Sequence, residues 1–183
     1  TGRLGVGRGS IREALRRRSA GGLVDMTHNR GASVHRMSRA EVRALYEVRE
    51  VLEVLTARLA AAHFEVSGKQ AEFEDVMASG EAILAQGAYD EYPAINARFH
   101  ALLVEVSDNP VLSRLVEQLH TPIFRYQLRR LMSRKIVEAS HDDHRTIFSA
   151  IRNGDADRAG RAMEDHVRRS ARLINDLGND IFS

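Results

Sequence analysis

The sequence predicts a mainly α-helical protein, in which an antiparallel bundle of six to seven helices follows a short basic helix and a small β-hairpin. Three observations support this fold class. Aromatic residues make up only 5% of the 183 residues and there are only three prolines, which favours helices over a β-sandwich. Apolar residues recur at helical spacing from residue 38 onward. The segments between these helical patterns are short, as expected for antiparallel neighbours in a bundle.

The N-terminal segment is predicted to hold the short helix and the hairpin. Ser10 can cap a helix that ends at Gly21-Gly22, where glycine tolerates a left-handed conformation. Residues 23–26 and 32–35 alternate as two strands around a tight turn. We interpret this helix and hairpin as the second half of a winged helix-turn-helix, with the hairpin as the wing and the first half absent.

Six helices are predicted after this segment. A capping box, Ser38-Arg39-Ala40-Glu41, starts the first and places a domain boundary near residue 37, between domains at 1–36 and 37–183. The other five helices are expected at about residues 70–86 after Ser67-Gly68, at 89–107, from Pro110 onward with a kink at Pro122, from a cap at Ser140 to Asn153-Gly154, and at 156–177 after a cap at Asp155.

Composition and charge exclude several classes of protein. The chain has no cysteine, so disulfides and cysteine-type zinc sites are excluded. It has no run of 18 apolar residues and does not open on a signal peptide, which predicts a cytoplasmic protein without a membrane partner. Residues 1–36 contain eight arginines and two acids, a net charge of +6, whereas the whole chain carries +2. This asymmetry suggests a segment that faces a polyanion, joined to an acidic domain.

Five residues of the N-terminal segment are candidates for contact with DNA. Arg8 and Arg12 are four apart at the start of the predicted recognition helix, where guanidinium groups can reach guanine edges or phosphates. Arg16 follows one turn later. Arg30 and Gly31 lie at the tip of the hairpin, within reach of the adjacent backbone or minor groove. The alternative is that these arginines only solubilise a short helix.

Four motifs in this segment carry a resemblance to a known family. They are Leu-Gly-Val-Gly-Arg at 4–8, Arg-Glu-Ala-Leu-Arg-Arg at 12–17, Gly-Leu-Val at 22–24 and Asn-Arg-Gly-Ala-Ser-Val at 29–34. Together they resemble the GntR family of bacterial transcriptional regulators. The helical remainder resembles the FadR-type C-terminal ligand domain of that family, the FCD domain. The resemblance implies a homodimer that binds operator DNA and responds to a small organic acid.

The N-terminal segment departs from the family pattern at four positions. Gly7 and Gly9 stand where hydroxyl or larger residues are usual, Arg18 replaces a core leucine, and Gly21 replaces an acid. Glycine loosens a short helix. We therefore expect residues 1–183 alone to bind DNA weakly.

Three histidines and an asparagine are predicted on buried faces of the bundle. Asn96 and His100 are four apart and share one face of a helix. His144 and His166 each fall in register with apolar residues of their own helices. Those apolar residues are Ile147, Phe148 and Ile151 for His144, and Ala159, Met163 and Leu173 for His166. Such a set can form a divalent metal site, although a single buried histidine is usually only a core residue.

The family resemblance implies the same metal site. Many FCD domains bind a metal through an Asp-x-x-x-His pair and one histidine from each of two later helices, which correspond here to Asn96, His100, His144 and His166. Asparagine in place of aspartate removes a negative charge and should weaken binding. Zinc is the expected ion, with nickel or manganese as alternatives. Among the other histidines, His141 is a weaker substitute ligand, and His63 and His120 are expected to pack or face solvent.

Arg49 is predicted to lie in a buried stripe of the first long helix, where a charge needs a partner. The other members of the stripe are Leu45, Leu52, Thr56 and Leu59. One hypothesis is that Arg49 anchors a carboxylate beside the metal, since guanidinium binds carboxylate in a bidentate manner, and the resemblance implies such an arginine. The alternative is an internal ion pair with Glu53 or with a carboxylate on another helix. Arg125 and Arg129 are weaker candidates for the anchor.

Three functions remain open from the sequence. The first is a ligand-responsive transcriptional regulator, in which a carboxylate shifts the helices and reorients a dimer on two-fold DNA. The second is a metal-dependent hydrolase, in which open coordination positions activate water. Against the hydrolase, no carboxylate stands out as a general base, and the basic segment would have no role. The third is a sensor fragment that dimerises but does not bind DNA alone.

Overall fold

The computed structural model describes residues 7–20, 24–27, 31–34, 37–119 and 132–176. The N-terminal segment forms helix α1 (Arg8–Ala20) and strands β1 (Val24–Thr27) and β2 (Gly31–Val34). The helices that follow are α2 (Arg39–Ser67), α3 (Gln70–Gln86), α4 (Tyr92–Val106), α5 (Pro110–Leu119), α6 (Arg134–Arg152) and α7 (Ala156–Asn175), with a 3-10 turn at Tyr89–Glu91. The predicted fold class, a helical bundle preceded by a helix and a hairpin, is confirmed.

The N-terminal elements follow the prediction with small shifts. Helix α1 begins at Arg8, two residues before the predicted cap at Ser10, because the Ile11 N–H already donates to the Gly7 carbonyl. The strands pair antiparallel, with Val24 opposite Val34 and Thr27 opposite Gly31. Gly31 has a φ of 96°, in the region that favours glycine.

The DNA candidates lie in this segment. Arg8, Arg12 and Arg16 belong to α1, and Arg12 is exposed. Gly31 is exposed at the start of β2, and Arg30 lies outside the described residues.

Local signals set the ends of α2 and α3 as predicted. The Ser38 N–H donates to a Glu41 carboxylate oxygen (2.8 Å), and the Glu41 N–H donates to Ser38 Oγ (3.3 Å), which completes the capping box. Gly68 ends α2 and Gly87 ends α3, both in the left-handed conformation.

The start of α6 differs from the prediction. The helix begins at Arg134, after Ser133, whereas the prediction expected its first residue directly after Ser140. Ser140 is therefore an interior residue and not the cap. An ion pair between Arg134 and Glu138 (2.7 Å) supports the additional first turn. The Ser140 hydroxyl instead accepts a hydrogen bond from Tyr92 (3.3 Å). The predicted kink at Pro122 lies outside the described residues.

The buried face of α2 is also different from the predicted leucine stripe. Leu45, Leu52 and Leu59 are only half buried, and the core face lies to one side of them. Its members are Val42, Tyr46, Glu53, Thr56, Ala57, Ala60, Ala61 and Phe64. Small alanines on this face let α2 lie close to α7 and α6, two of the helices that it packs against. As a consequence a carboxylate, Glu53, is part of the core face.

An aromatic cluster fills the centre of the bundle. The rings of Phe73 and Phe148 stack at 5.1 Å. Phe64 meets both of them edge to face, and Phe99 meets Phe73 in the same way. Within the described ranges, no helix is both long and apolar enough to cross a membrane.

Candidate metal centre

Three buried histidines from three helices converge in the bundle. His100 on α4, His144 on α6 and His166 on α7 are 5%, 0% and 4% exposed. One ligand atom from each lies within 4.8 Å of the other two. A tetrahedral zinc ion with bonds of about 2 Å holds its ligand atoms about 3.3 Å apart, so the rings have to move toward one another for all three to bind one ion. The structure thus brings together three of the four predicted ligands.

The fourth predicted ligand, Asn96, lies one turn before His100 on α4 and is half buried. That position is compatible with a place beside the cluster. Its role as a ligand stays a prediction.

Each of the three histidines is held at Nδ1 by a residue outside the cluster. Nδ1 of His100 is 2.9 Å from Glu53 Oε2, and Nδ1 of His166 is 3.2 Å from Asp143 Oδ2. Nδ1 of His144 is 3.3 Å from the Tyr92 hydroxyl. Imidazoles that bind metals are commonly fixed in this way, with one nitrogen on an outer partner and the other on the ion.

The opposite nitrogens of two rings are buried and have no partner within the described part of the chain. They are Nε2 of His100 and Nε2 of His144. Buried polar atoms in folded proteins are nearly always satisfied, so such orphans need an explanation. A divalent cation supplies one, because it would accept the lone pairs of both atoms.

Electrostatics keeps His144 and His166 in the form that binds metal. Burial lowers the pKa of His144 well below its ordinary value of 6.5, and the neighbouring His166 and His100 lower it further. Burial also lowers the pKa of His166, although the hydrogen bond to Asp143 acts in the opposite direction. Neutral imidazole is the ligand form, so no proton has to leave these two rings before an ion binds.

An arginine stands behind each of the two carboxylates. Arg49 binds Glu53 Oε1 through Nε (2.8 Å) and Nη2 (2.7 Å), and its guanidinium lies 4.5 Å from the centre of the Tyr46 ring. Arg169 Nη1 lies 2.8 Å from Asp143 Oδ1. The ion pair with Glu53 that was the alternative for Arg49 is therefore present. The role of Arg49 as a carboxylate anchor stays a prediction.

A small cavity adjoins the histidine cluster. Glu53, Thr56 and His100 form its polar side, and Leu103, Val116 and Met163 are among the apolar residues that line it. It has room for about one water molecule. A larger ligand therefore needs these helices to move apart. Arg125 and Arg129, the other predicted anchors, lie outside the described residues.

Sequence reasoning missed two members of this arrangement, Tyr92 and Asp143, and it named Glu53 only as a partner for Arg49. Glu53 could have been found from its spacing, because it falls in register with Thr56 and Ala60 on the buried face. Nothing local points to Tyr92 or Asp143, whose roles depend on contacts between helices.

Of the other histidines, the structure describes His63 and His141, and neither belongs to the cluster. His141 is fully buried against α3, and His63 is half buried with Nδ1 3.1 Å from the Ser107 carbonyl oxygen. His120 lies outside the described residues.

The donor set fits a divalent cation of borderline softness. Three neutral imidazoles suit zinc or nickel, and three protein ligands leave coordination positions for an asparagine oxygen, water or a ligand carboxylate.

Comparisons with known proteins place the chain among bacterial regulators. The sequence profile of the FCD domain matches residues 44–169. The HTH-type transcriptional repressor RspR of Escherichia coli K12 is 27% identical, over 99% of this chain and 80% of the repressor. The repressor GlaR of the same strain is 28% identical, over 91% of this chain and 79% of its own length. The solved structure of E. coli McbR/YncC shares the fold, with a TM-score of 0.79 at 17% identity, and covers 94% of this chain and 82% of that one.

Proposed function

The chain belongs to the FCD domain family and is a transcriptional regulator of the GntR family, and from this premise we propose that it binds operator DNA as a homodimer and senses a small carboxylate at a metal site in its bundle. The predicted family is confirmed. Its members are regulators and not enzymes, so the chain is not an enzyme and the hydrolase alternative is set aside.

The metal part of this proposal rests on one observation, the way in which residues outside the cluster hold the three histidine rings. Each Nδ1 lies on an outer partner, and two Nε2 atoms are buried and unpaired within the described ranges. A bound divalent ion would supply positive charge and exchangeable coordination positions. We propose His100, His144 and His166 as ligands with Asn96 as the fourth, and zinc as the ion.

The carboxylate part of the proposal is supported by the surroundings of the cavity. Its polar side carries Glu53, and Glu53 in turn holds Arg49, whose side chain is 18% exposed. Glu53 lies between this guanidinium and His100, so a carboxylate bound to an ion on the histidines would have to displace Glu53 from Arg49, which could then bind it through two hydrogen bonds. Arg125 is the second proposed anchor.

The experiment for metal and effector together is a set of melting curves. The protein is loaded with one equivalent of zinc and screened against small mono-, di- and tricarboxylates. We expect at least one acid to raise the melting temperature, with the shift lost after chelation and reduced in Arg49→Met. Absence of a shift from every acid, or an equal shift without metal, would contradict the carboxylate sensor.

The homodimer is supported by an apolar surface on two neighbouring helices. Val48, Val51 and Leu55 on α2 are 49%, 67% and 42% exposed, and Val111 and Leu115 on α5 are 55% and 44% exposed. Helices α2 and α5 pack against each other. Adjacent exposed apolar side chains mark interaction surfaces, and the occupant that we propose is the same surface of a second copy, as in two-fold dimers.

A charge placed in this surface tests the dimer. We expect Val51→Glu to convert dimer to monomer in sedimentation equilibrium, because a carboxylate cannot be buried there without a partner. Ala78→Glu, at an exposed position on α3, is the matched control and should leave the assembly unchanged. A monomeric wild-type protein would contradict the proposal.

DNA binding is assigned to residues 1–36 and sensing and dimerisation to residues 37–183. Arg8, Arg12, Arg16, Arg30 and Gly31 are the proposed contacts. The full-length protein should shift the DNA upstream of its own gene, with an affinity that falls as salt rises, because arginines release counterions from the phosphates. Residues 1–183 alone should bind the same DNA more weakly. Arg12→Ala should weaken that shift. A shift that does not depend on salt, or none with or without metal and acid, would remove the DNA-binding role.

A further inference from the structure

We propose that Glu53 is a positioning residue of the metal centre, which fixes His100 with Nε2 toward the ion and supplies negative charge that Asn96 does not. This inference rests on the proposed metal centre and deepens it. The helix that carries Glu53, α2, contributes no histidine to the cluster. Glu53 is therefore the residue through which α2 takes part in metal binding.

The two oxygens of Glu53 have different partners. Oε1 binds the guanidinium of Arg49 on the same helix, and Oε2 lies 2.9 Å from Nδ1 of His100 on α4. The carboxylate cannot rotate without losing one of them. An ionised Glu53 has no proton to donate, so the 2.9 Å approach of Oε2 favours the tautomer of neutral His100 with its proton on Nδ1, in which Nε2 presents its lone pair.

The burial of Glu53 indicates more than a surface ion pair. Its side chain is 5% exposed, and a buried carboxylate is unfavourable unless charge and hydrogen bonds compensate it. Arg49 supplies one positive charge on the outer side. On the inner side, an ion bound to His100 would supply a second.

The other carboxylate of the centre, Asp143, has the same kinds of partners as Glu53, but it lies on a helix that also carries a candidate ligand. Asp143 lies between Arg169 and His166, as Glu53 lies between Arg49 and His100. Asp143 precedes the ligand His144 on α6, so that helix places both. Glu53 has no ligand on its own helix. Two arginine–carboxylate–histidine chains thus meet at the cluster, and each places a carboxylate next to a histidine ring with its arginine on the outer side.

Zinc affinity measured by competition with a chromogenic chelator tests the role of Glu53. Glu53→Gln keeps the size of the side chain and removes its charge, and outer partners of metal-binding histidines typically contribute about 10- to 100-fold in affinity. We expect a loss of that size. Glu65→Gln, an exposed position on the same helix, is the matched control and should bind zinc like the wild type.

A second variant separates positioning from folding. Glu53→Gln alone leaves Arg49 partly buried without its carboxylate, which can lower stability. Arg49→Met/Glu53→Gln removes both charges, and we expect its metal-free melting temperature to return toward that of the wild type while its zinc affinity stays low. If the Arg49–Glu53 pair were only structural, the double variant would recover its melting temperature and its zinc affinity together.

The outcomes are distinct. Wild-type zinc affinity in Glu53→Gln, or in the double variant, overturns this inference and leaves the metal centre standing. A wild-type protein that does not bind zinc removes the metal centre, and this inference falls with it.

Discussion

Two buried histidines on helix α6 lie one turn apart and have different surroundings. His144 and His141 are both 0% exposed. The ring of His144 is 4.8 Å from that of His166 and 5.4 Å from that of His100, with Nδ1 near the Tyr92 hydroxyl. His141 has no hydrogen-bond partner at either nitrogen within the described residues. Burial is therefore common to both rings. The candidate ligand, His144, differs because it lies beside two other histidines and has a partner at Nδ1.

The His141 ring serves packing between α3 and α6. Gly80 on α3 lies so close that an added Cβ would be 2.4 Å from Cε1 of His141. Tyr92 meets the same ring edge to face at 6.2 Å. Burial lowers the pKa of His141, so the ring is a neutral, flat filler between two helices. The contrast with His144 can be tested by four experiments.

The largest expected difference is in metal binding. His144→Leu should abolish stoichiometric zinc binding, because it removes one of the three ligands. His141→Leu is the same substitution one turn away and should leave zinc binding unchanged. Metal content after dialysis, measured by mass spectrometry, distinguishes them. Loss of zinc from His141→Leu with retention in His144→Leu would reverse the assignment.

The next effect is the pH dependence of the metal-free protein. His144 and His166, like His141, have lowered pKa values in the folded state, whereas in the unfolded chain they take up protons near pH 6.5. The unfolded state therefore binds more protons below that pH, and stability falls as pH decreases. We expect a loss of up to about 1.4 kcal/mol per histidine for each pH unit below 6.5.

Urea unfolding at pH 7.5 and pH 5.5 in the presence of a chelator measures this slope. His144→Leu should reduce it, because one linked group is removed. Stability that stays flat or rises toward acid would contradict the neutral assignment of the two rings.

A smaller effect is expected at the helix contact. Gly80→Ala should destabilise the protein by about 1–3 kcal/mol, because the new methyl group overlaps the ring of His141. In a His141→Ala background the overlap is absent, and alanine then stabilises the helix relative to glycine by about 1 kcal/mol. The urea midpoints of the wild type, Gly80→Ala, His141→Ala and the double variant show whether the effect of Gly80→Ala on stability changes sign. A loss of equal size in both backgrounds would show that His141 is not the obstacle.

The smallest effect is the stability of His141→Leu itself. The substitution removes two buried nitrogens without partners in the described structure and replaces the ring by an apolar group of similar size. We expect a change of less than about 1 kcal/mol at pH 7.5, because such exchanges are nearly neutral. A large loss of stability would mean that His141 has a polar role.

Local signals in the sequence were sufficient for most of the fold. The capping box at Ser38 and the left-handed glycines at Gly68 and Gly87 act within a few residues, so their effect can be predicted without the neighbours. The predicted start of α6 is wrong. Ser140 is a good cap in isolation, but in the structure its hydroxyl accepts a hydrogen bond from Tyr92 on another helix.

The site was predicted only in its innermost part. His100, His144 and His166 are in register with apolar residues of their own helices, which periodicity detects. The outer partners depend on how helices approach one another. The leucines of α2 predicted the wrong buried face, and the face that carries Glu53 was missed. The reason is that alanines, and not leucines, line the closest contacts of that helix.

One contact joins helix α7, which carries the candidate ligand His166, to the start of α2. Arg39, the first residue of α2, donates a hydrogen bond to the Asn175 carbonyl at the C-terminal end of α7. His166 lies nine residues earlier on α7, which is about 14 Å along the helix axis. A slide of α7 along its axis would therefore act on Arg39, which lies three residues after the proposed DNA-binding segment. Helix α7 thus gives the candidate ligand His166 a direct mechanical connection to the base of that segment.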